Sequence, residues 1–514
     1  MAELLAPLEI AFMHPDLGIG GAERLVVDCA LGLKSQGHSV TIYTSHCDMD
    51  HCFEEIKNGE IPVEVIGDFL PTNIGGRFAI VCATLRQLFL TFKLIRSKTI
   101  DNYDLFIVDQ LSTSLPFIQA YKPRTLFYCH FPDQLLAKKG GLLKTVYRLP
   151  FNLIEQLSTG MADKIVVNSN FTKSVFQKTF RMLGEKLASV EVVYPCVDTD
   201  TRVNELMTSQ DKKFFDTNFK SSVSDDTEFL LSVNRFERKK DIQLAIKSFQ
   251  KAQESLGSAR KSKLKLIVAG GYDPRVAENS EYLIELEHLC DKLELNFETF
   301  HYGDIVAKSR TNSAKFVLQN KIDELGVVFM TSISSSLKNL LITKSRLLLY
   351  TPSFEHFGIV PIESMNLGTP VLACNNGGPM ETVEQDKTGW LAEPNVEDWT
   401  KHILVCLLTT NKLQMKEQCQ KRVLKYFSRI AMTESLEDKI GKMMQVPKKK
   451  KSNAPMVAMA LLNLLVFYIL QFLFLEKDHF YVYGIMMIFN TVFLKDRQWG
   501  FYWLAFAGLV HFRS

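Results

Sequence analysis

Short apolar runs alternate with helical patterns along most of the chain. Leu8 to His14 has the pattern of a buried strand, Leu25 to Leu33 marks one helical face that ends at Gly37, and Val40 to Thr44 predicts the next strand. Strands that alternate with helices form parallel sheets covered on both faces, so the pattern predicts an α/β fold. Further strands are predicted at Leu105 to Val108, Leu126 to His130, Lys164 to Val167 and Val190 to Tyr194.

The alternation restarts after a polar stretch from Asp198 to Asp226. Two Rossmann-like domains joined near residue 210 are the simplest arrangement, with boundaries predicted at 1–210 and 211–400. The second half is predicted to contain strands Phe229 to Val233, Leu264 to Ala269, Val327 to Met330, Leu347 to Tyr350 and Pro370 to Cys374, with helices Ile242 to Leu256, Ser280 to Leu295, Ser335 to Thr343 and Ile359 to Leu367.

The C-terminus departs from this pattern. The mean hydropathy of the whole chain is +0.01, but residues 452–475 carry no charge. About 20 apolar residues suffice to span a bilayer. Met456 to Leu475 is therefore predicted to cross a membrane. The lysine run Lys448 to Lys451 precedes it and predicts that the body lies on the cytosolic side. Residues 448–514 together form a predicted basic run and membrane-associated tail.

Two further stretches, Phe78 to Ile95 and Leu135 to Leu157, are largely apolar with interspersed basic residues. Contact with a lipid surface and ordinary amphipathic packing on a sheet both remain open for them.

The overall charge excludes one class of partner. A formal net charge of +3 lacks the strong basic stripe that nucleic-acid binding requires, so no nucleic acid is expected. The ten cysteines form no CxxC pair and the N-terminus lacks a signal-peptide pattern, which favours a reducing compartment. Asp48-Met49-Asp50 and Asp198-Thr199-Asp200 fit the DxD metal motif of some sugar transferases by letter only, and no essential metal is expected.

A glycine-rich turn follows the first predicted strand. Gly20 and Gly21 precede a helix, where main-chain N–H groups and the helix dipole favour an anion. The turn is not a dinucleotide fingerprint, because Glu23 stands where GxGxxG requires glycine. A tight structural turn explains it nearly as well.

Two basic residues follow the strand that opens the second half. Arg235 and Lys240 lie beyond its carboxyl end, where open α/β sheets bind ligands, and their side chains suit a diphosphate. A solvated basic loop is the alternative.

The segment Thr351 to Met365 places two carboxylates eight residues apart. Glu355 is predicted to lie in a loop after a buried strand, and Glu363 in a helix whose first turn contains Pro361. The N–H groups of Gly358, Ile359 and Val360 would then be left for phosphate.

These motifs together resemble those of the retaining glycosyltransferases of family 4, which have the GT-B fold, and among them the mannosyltransferases of the dolichol pathway of asparagine-linked glycosylation. The resemblance covers nearly the whole body, and E-x7-E within EHFGIVPIE is its most specific element. The matching motifs are GIGGAER, FYCHFPD, VNSNFT, VYPCVD, SVNRFERKKD and SFEHFGIVPIESM.

The resemblance implies roles for single residues. Glu363 should hold the ribose of a nucleotide sugar, Arg235 and Lys240 its diphosphate, and Glu355 the transferred hexose. The turn at Gly20 and Gly21 should face the sugar and phosphate. His130 should approach the hexose; a lone histidine that ends an apolar strand is often structural, but its FYCHFPD context favours function.

The resemblance also implies an activity. The chain is expected to transfer mannose from GDP-mannose, with retention, to dolichol-diphosphate-linked Man1GlcNAc2, forming an α-1,3 and an α-1,6 linkage at the cytosolic face of the endoplasmic reticulum membrane. Because the sequence contains one E-x7-E set, both linkages are expected to form in one cleft. Residues 1–210 would be the acceptor domain, 211–400 the nucleotide-sugar domain and 401–447 a helical return segment. Membrane lipid is an expected partner, other glycosyltransferases of the pathway stay open as partners, and no cofactor is expected.

Two other functions share these motifs. A related membrane enzyme could transfer N-acetylglucosamine to phosphatidylinositol, and a catalytically silent subunit could recruit partner transferases. The silent subunit is the less favoured of these, because the sequence contains all four charged residues that the resemblance implies for catalysis: Glu355, Glu363, Arg235 and Lys240.

Overall fold

The structure is a computed structural model of the 514-residue chain. It describes residues 6–73, 79–136, 142–199, 208–220, 227–302 and 322–448, together with 467, 479–488, 490 and 502–503. These ranges contain two seven-stranded sheets, whose recorded strand pairs are parallel. The α/β architecture predicted from the hydrophobic pattern is therefore confirmed.

The first sheet has the strand order β3-β2-β1-β4-β5-β6-β7. Its central strands are mostly apolar because helices cover both faces, as in β4, which is buried at every position and has one charged residue, Asp109, at its end. The strands are β1 Glu9–His14, β2 Ser39–Thr44, β3 Val63–Val65, β4 Leu105–Asp109, β5 Arg124–Cys129, β6 Lys164–Val167 and β7 Glu191–Val192.

Seven helices accompany these strands. The first begins directly at Gly21 with Gly20 as its N-cap. The helices are Gly21–Ser35, Glu54–Lys57, Ala79–Arg96, Leu115–Ile118, Asp133–Leu136, Leu142–Thr159 and Asn170–Thr179, and short 3-10 segments lie at Thr99–Asn102, Ser112–Ser114 and Arg181–Ser189.

The second sheet has the order β10-β11-β9-β8-β12-β13-β14. Neighbouring residues of one strand supply opposite faces: Leu231 packs in one apolar cluster and Leu230 in the other. The strands are β8 Glu228–Val233, β9 Leu264–Gly270, β10 Phe297–His301, β11 Val327–Thr331, β12 Leu347–Tyr350, β13 Val371–Cys374 and β14 Gly389–Ala392.

The helices of this half begin at polar caps in several places. Asn395 and Asn411, for example, accept hydrogen bonds from main-chain N–H groups of the helices that they precede. The helices are Ser209–Phe215, Ile242–Glu254, Ser258–Lys261, Ala277–Lys292, Ser335–Lys344, Ile359–Asn366, Pro379–Thr382, Val396–Leu408, Lys412–Tyr426 and Arg429–Gln445, with 3-10 turns at Arg238–Lys240 and Ile322–Glu324 and a π-helical turn at Asp216–Lys220.

The chain divides into two compact units that are not contiguous in sequence. The first comprises Met1–Val166, Phe176–Glu191 and Asp438–Ser514, and the second Val167–Val175 and Val192–Glu437. This division differs from the linear boundary expected at residue 210, because the segment that follows β7 packs with the second unit. Val197 belongs to an apolar cluster of that unit and forms an isolated bridge with Ser428.

For the stretch Phe78 to Ile95, the helix Ala79–Arg96 favours ordinary packing over contact with a lipid surface. It buries one face, on which even the Arg86 guanidinium is enclosed and donates to the Ser45 carbonyl at 2.8 Å. This is ordinary packing in the first unit. The helix Leu142–Thr159 also packs on neighbouring segments, but Leu149 and Leu153 on its surface stay exposed.

The predicted transmembrane segment Met456 to Leu475 lies outside the described residues, apart from Phe467. Among the described residues of the tail, His479–Ile488 forms a helix. Across the described ranges we find no helix with both the length and the apolar character needed to cross a bilayer.

Candidate functional site

The second sheet changes direction between β8 and β12. Strand β8 lies between β9 and β12, so the chain order reverses at this point, and open α/β sheets bind ligands beyond the carboxyl ends of the strands at such a reversal. The loop after β8 carries Arg235 and Lys240, and the loop after β12 carries Glu355. Topology therefore brings these sequence-predicted side chains to one edge of the sheet.

Glu355 and Lys240 form a close ion pair. The Lys240 Nζ lies 2.5 Å from the Glu355 Oε2, and the side chains are 14% and 24% exposed. Burial alone would raise the pKa of Glu355, but the Lys240 ammonium and a hydrogen bond from Tyr350 hold it below its ordinary value. Tyr350 itself is nearly enclosed, and burial raises its pKa well above the ordinary value. The Glu355 carboxylate is thus ionised and held from two sides.

Two glycines position the loop that carries Glu355. Gly377 has a φ of 69°, a left-handed conformation that favours glycine. The main-chain N–H of the next residue, Gly378, donates to the Glu355 carbonyl at 2.7 Å. A Cβ on Gly378 would lie 2.3 Å from the Cα of Phe357. The turn after β13 is therefore packed directly against the Glu355 loop.

Glu363 lies one turn inside the helix Ile359–Asn366, where the sequence placed it. Its two carboxylate oxygens each lie 2.7 Å from the Nζ of Lys338, which belongs to a neighbouring helix. The helix begins after Gly358 at φ 87°, with Pro361 in its first turn. Its first N–H groups, those of Ile359 and Val360 among them, have no acceptor inside the helix, so they suit an anion.

Arg235 is more open than its neighbours. Its guanidinium lies 3.2 Å from the Glu237 carboxylate, and 63% of the side chain is exposed. The structure thus places Lys240 and Glu355 in contact, while Arg235 and Glu363 have separate partners in Glu237 and Lys338. Surface ion pairs of this kind are weak, which leaves the guanidinium available to a ligand.

A second group of charges lies at the corresponding edge of the first sheet, where the order reverses between β1 and β4. Asp109 ends β4, His14 ends β1, and His130 directly follows β5. The His14 Nδ1 forms a 2.7 Å hydrogen bond with the Asp109 Oδ2, and the His130 Nε2 lies 2.7 Å from the Asp109 Oδ1. His14 also lies 3.8 Å from the Glu23 carboxylate, through its Nε2.

Burial and charge oppose each other in this group. Burial alone would lower the pKa of His14, but Asp109 and Glu23 raise it to about 9. Burial alone would raise the pKa of Asp109, but His130 and His14 lower it to about 2. At neutral pH His14 therefore carries a positive charge between the carboxylates of Asp109 and Glu23. The side chains of His130 and Glu23 are 20% and 21% exposed.

The glycine-rich turn at Gly20 and Gly21 lies beside Glu23, a member of this group of charged side chains. Gly20 caps the first helix in an extended conformation, with φ −160°, and Gly21 is the first helical residue. A Cβ on Gly21 would meet no protein atom within 4 Å among the described residues, so the fold does not demand glycine there. On Gly20 a Cβ would meet only the Glu23 carboxyl group, the far end of a flexible side chain.

Sequence reasoning missed several of these side chains. Asp109 directly follows the apolar run of β4, and an acid at the carboxyl end of a buried strand is a detectable signal. His14 stands at the end of β1 in the same way. Lys338 has no comparable signal, because only the packing of two helices brings it to Glu363.

The chain matches two family models, one for each half. Residues 19–201 match the model described as Glycosyltransferase Family 4, and residues 214–423 the model described as Glycosyl transferases group 1. Apart from Gly18, the first residue of GIGGAER, each of the matching motifs falls inside one of these two ranges.

Curated relatives are similar over nearly the whole length. The alpha-1,3/1,6-mannosyltransferase ALG2 of Saccharomyces cerevisiae is 48% identical over 507 residues, which cover 96% of this chain and 96% of the relative. The protein of the same name from Candida albicans is 47% identical over 458 residues, covering 84% of this chain and 98% of the relative.

Solved structures agree on the fold. The glycosyltransferase from Rickettsia africae has a TM-score of 0.60 at 17% identity, with coverage of 86% of this chain and 100% of that structure. Anabaena Alr3699/HepE in complex with UDP has a TM-score of 0.57 at 18% identity, covering 85% and 100%. At such identities the likeness concerns the fold alone.

Proposed function

Because the chain belongs to the alpha-1,3/1,6-mannosyltransferases, a family of GT-B glycosyltransferases, we propose that it transfers mannose from GDP-mannose to dolichol-diphosphate-linked Man1GlcNAc2. The glycosyltransferase class follows from the family; the donor and the acceptor are the proposed parts. The observation that supports them best is the pair of carboxylates, Glu355 and Glu363, each held by a lysine at the carboxyl edge of the second sheet.

The donor diphosphate is assigned to the cations and N–H groups of this edge. Transfer breaks the bond between the sugar C1 and a diphosphate oxygen, so negative charge grows on the leaving group. Arg235, Lys240 and the N–H groups from Gly358 to Val360 are suited to stabilise that charge, because fixed donors in a protein site need little reorganisation. This assignment uses only side chains and main-chain groups of the chain itself.

Glu363 is proposed to receive the ribose hydroxyls. In the structure both of its oxygens are taken by Lys338, a single cation on a flexible stem. A ribose that donates to the carboxylate can share it with that ammonium, since a carboxylate accepts about four hydrogen bonds. Lys338 then positions Glu363 without contacting the sugar.

Glu355 and His130 are proposed to approach the transferred hexose. With retention, the acceptor hydroxyl attacks C1 on the face from which the diphosphate leaves, through an ion-pair-like state. The new C1–O bond replaces the broken one, and the hydroxyl proton passes to an oxygen of the leaving diphosphate. Glu355 stabilises the positive charge at C1; its close pairing with Lys240 argues against a covalent nucleophile.

The glycine turn fits a ligand contact from the first unit. Because a Cβ on Gly21 would meet nothing in the described protein, the absence of a side chain serves an approach to the main chain rather than the fold. We assign Gly20 and Gly21 to the sugar and phosphate of the donor.

A location at the cytosolic face of the endoplasmic reticulum membrane is part of the proposal. It is supported by the uncharged stretch 452–475 and by the lysines that precede it. A lipid-linked acceptor requires such a position, since its sugar stays within reach of the membrane surface.

The test uses the purified full chain in detergent. GDP-mannose and a lipid-linked mannosyl-chitobiose analogue are supplied, and the products are mapped by linkage-specific mannosidases and mass spectrometry. Formation of both α-1,3 and α-1,6 linkages is expected. A donor panel that includes UDP-N-acetylglucosamine checks specificity; transfer from that donor, or no transfer by the chain alone, would contradict the proposal.

A further inference from the structure

A basic cavity lies at the far edge of the first sheet, away from the site described above. Its volume is about 1240 Å³, and it opens where β5 and β6 begin, at Arg124 and Lys164. Strands of about six residues separate this amino-terminal edge from the carboxyl-terminal edge by roughly 20 Å. The cavity is therefore distinct from the proposed donor site.

Cations dominate the walls of this cavity. Six lining side chains are basic and two are acidic. One of the acids, Asp163, is used internally, because it accepts from the Thr125 N–H and the Gln119 amide, each at 2.8 Å, and lies 3.2 Å from Arg124. The six cations are Lys122, Arg124, Lys164, Lys186, Lys442 and Lys448.

Lys448 closes one wall in an unusual way. Its ammonium donates to the carbonyls of Tyr121 at 2.5 Å and Pro123 at 2.7 Å, so main-chain dipoles rather than a paired carboxylate hold it. Burial lowers the pKa of Lys448 below its ordinary value. An anion in the cavity would relieve that cost. The neighbouring Val446 carbonyl accepts from Arg124, which fixes this end of the chain to the cavity floor.

Two of the other cations can exchange partners, whereas Lys164 is largely buried against Glu191 and Lys186 donates to main-chain carbonyls. Lys122 pairs with Asp104 at 3.1 Å and Lys442 with Asp438 at 2.7 Å, and both lysines are more than 60% exposed. Exposed ion pairs are weak because solvent screens them, so a phosphate that brings two negative charges competes with them readily. The cavity thus offers fixed and adjustable cations together.

The position in the chain points to the source of the anion. Lys448 opens the lysine run, and Met456 begins the predicted membrane-crossing segment eight residues later. A fully extended chain of that length reaches at most about 29 Å. A membrane that holds the tail would bring its headgroups within reach of this wall, and anionic headgroups attract such basic segments.

We propose that this cavity binds a phosphate ester, supplied by an anionic lipid headgroup of the membrane. The ligand docks the first unit against the bilayer independently of the donor site. The same cations would accept a soluble phosphate ester, so the experiment separates the two sources.

The full chain, purified in nonionic detergent, is titrated with dioctanoyl phosphatidate, glycerol 3-phosphate and dioctanoyl phosphatidylcholine, and binding is measured by microscale thermophoresis. Tighter binding of phosphatidate than of glycerol 3-phosphate identifies the lipid as the source; equal affinities identify a soluble ester. The double variant K442Q/K448Q should bind the preferred ester at least tenfold more weakly.

The matched control is K251Q/K387Q, which removes two exposed, carboxylate-paired lysines from the second unit. It should bind like the unaltered chain. The single variant K442Q, whose ammonium has only a surface partner, retains the test if loss of the Lys448 contacts unfolds the protein. Equal affinity of the cavity variants and the control, or equal binding of phosphatidylcholine and phosphatidate, would overturn the proposal.

Discussion

The two sheets place charged groups at equivalent edges, yet they hold them differently. At the first sheet Asp109 is 2% exposed and lies between His14 and His130, so its charge is neutralised inside the protein. At the second sheet Lys240 and Glu355 are 14% and 24% exposed, and solvent reaches both. A buried group of paired charges holds its side chains in one arrangement, whereas a half-buried ion pair can exchange partners with a ligand. We therefore propose that the charges at the first edge position side chains and that those at the second edge stabilise charge during the reaction.

The largest expected effect tests the second edge. E355A removes the carboxylate beside C1 and leaves Lys240 without its partner, so we expect a loss of about 1000-fold in kcat/KM, equal to about 4 kcal/mol, for both linkages. The kcat/KM for the acceptor is measured for each linkage from product-formation rates at saturating GDP-mannose and subsaturating acceptor. E397A, which breaks an exposed pair with Lys251, is the control and should be neutral. A variant at Glu355 that spares one linkage completely would contradict a single catalytic set.

The next effect tests the first edge. D109N removes the charge that holds His14 and His130, and we expect about a 100-fold loss in kcat/KM through misplacement of His130. Because Asp109 would act through His130, H130A and the double variant should lose no more than the larger single effect. If the losses caused by D109N and H130A instead multiply in the double variant, Asp109 does not act by positioning His130. D50N, in an exposed loop, is the control, and its inactivity would instead revive the DxD motif.

A pH titration sharpens the same comparison. The raised pKa of His14, about 9, means that its protonation stabilises the fold fully below pH 6.5 and that this stabilisation is lost as pH rises through 9. Between pH 7 and 9 the unaltered chain should lose about 2 kcal/mol more unfolding free energy than H14Q. Denaturant unfolding followed by a probe in the first unit measures this. Parallel pH curves for the two proteins would show that His14 stays neutral.

The smallest effect concerns the Glu363 partner that sequence reasoning missed. K338Q should raise KM for GDP-mannose about tenfold, equal to about 1.4 kcal/mol, with little change in kcat, because Lys338 orients Glu363 in both ground and transition states. K338R, which keeps the charge, should recover part of the loss. A fall in kcat at constant KM would place Lys338 in the chemical step instead.

Strands at the centre of each sheet were predictable, and several edge strands were not. β11, β12 and β13 are buried at every position and appear in the sequence as unbroken apolar runs. β3 and β10 lie at sheet edges, are mostly half-buried or exposed, and contain charged residues, so no periodic signal marks them. Edge strands obtain their conformation from a neighbour rather than from their own pattern.

The candidate site divides in the same way. Glu355, Glu363 and Lys240 stand beside strand and helix ends, where local sequence predicts both position and chemistry. Lys338 reaches Glu363 from another helix, and Tyr350 reaches Glu355 from inside the core, so their roles depend on packing. Local patterns locate the ends of elements; the partners supplied across elements require the folded chain.

The interleaved order of the two units also has a consequence for synthesis. The first unit needs the segment from Asp438 onward, whose Val446 carbonyl binds Arg124, yet the ribosome makes that segment after nearly all of the second unit. At about 5–20 residues per second the N-terminal strands wait on the order of tens of seconds for it. During that interval the amino-terminal edge of the first sheet lacks the contact that Val446 makes with Arg124.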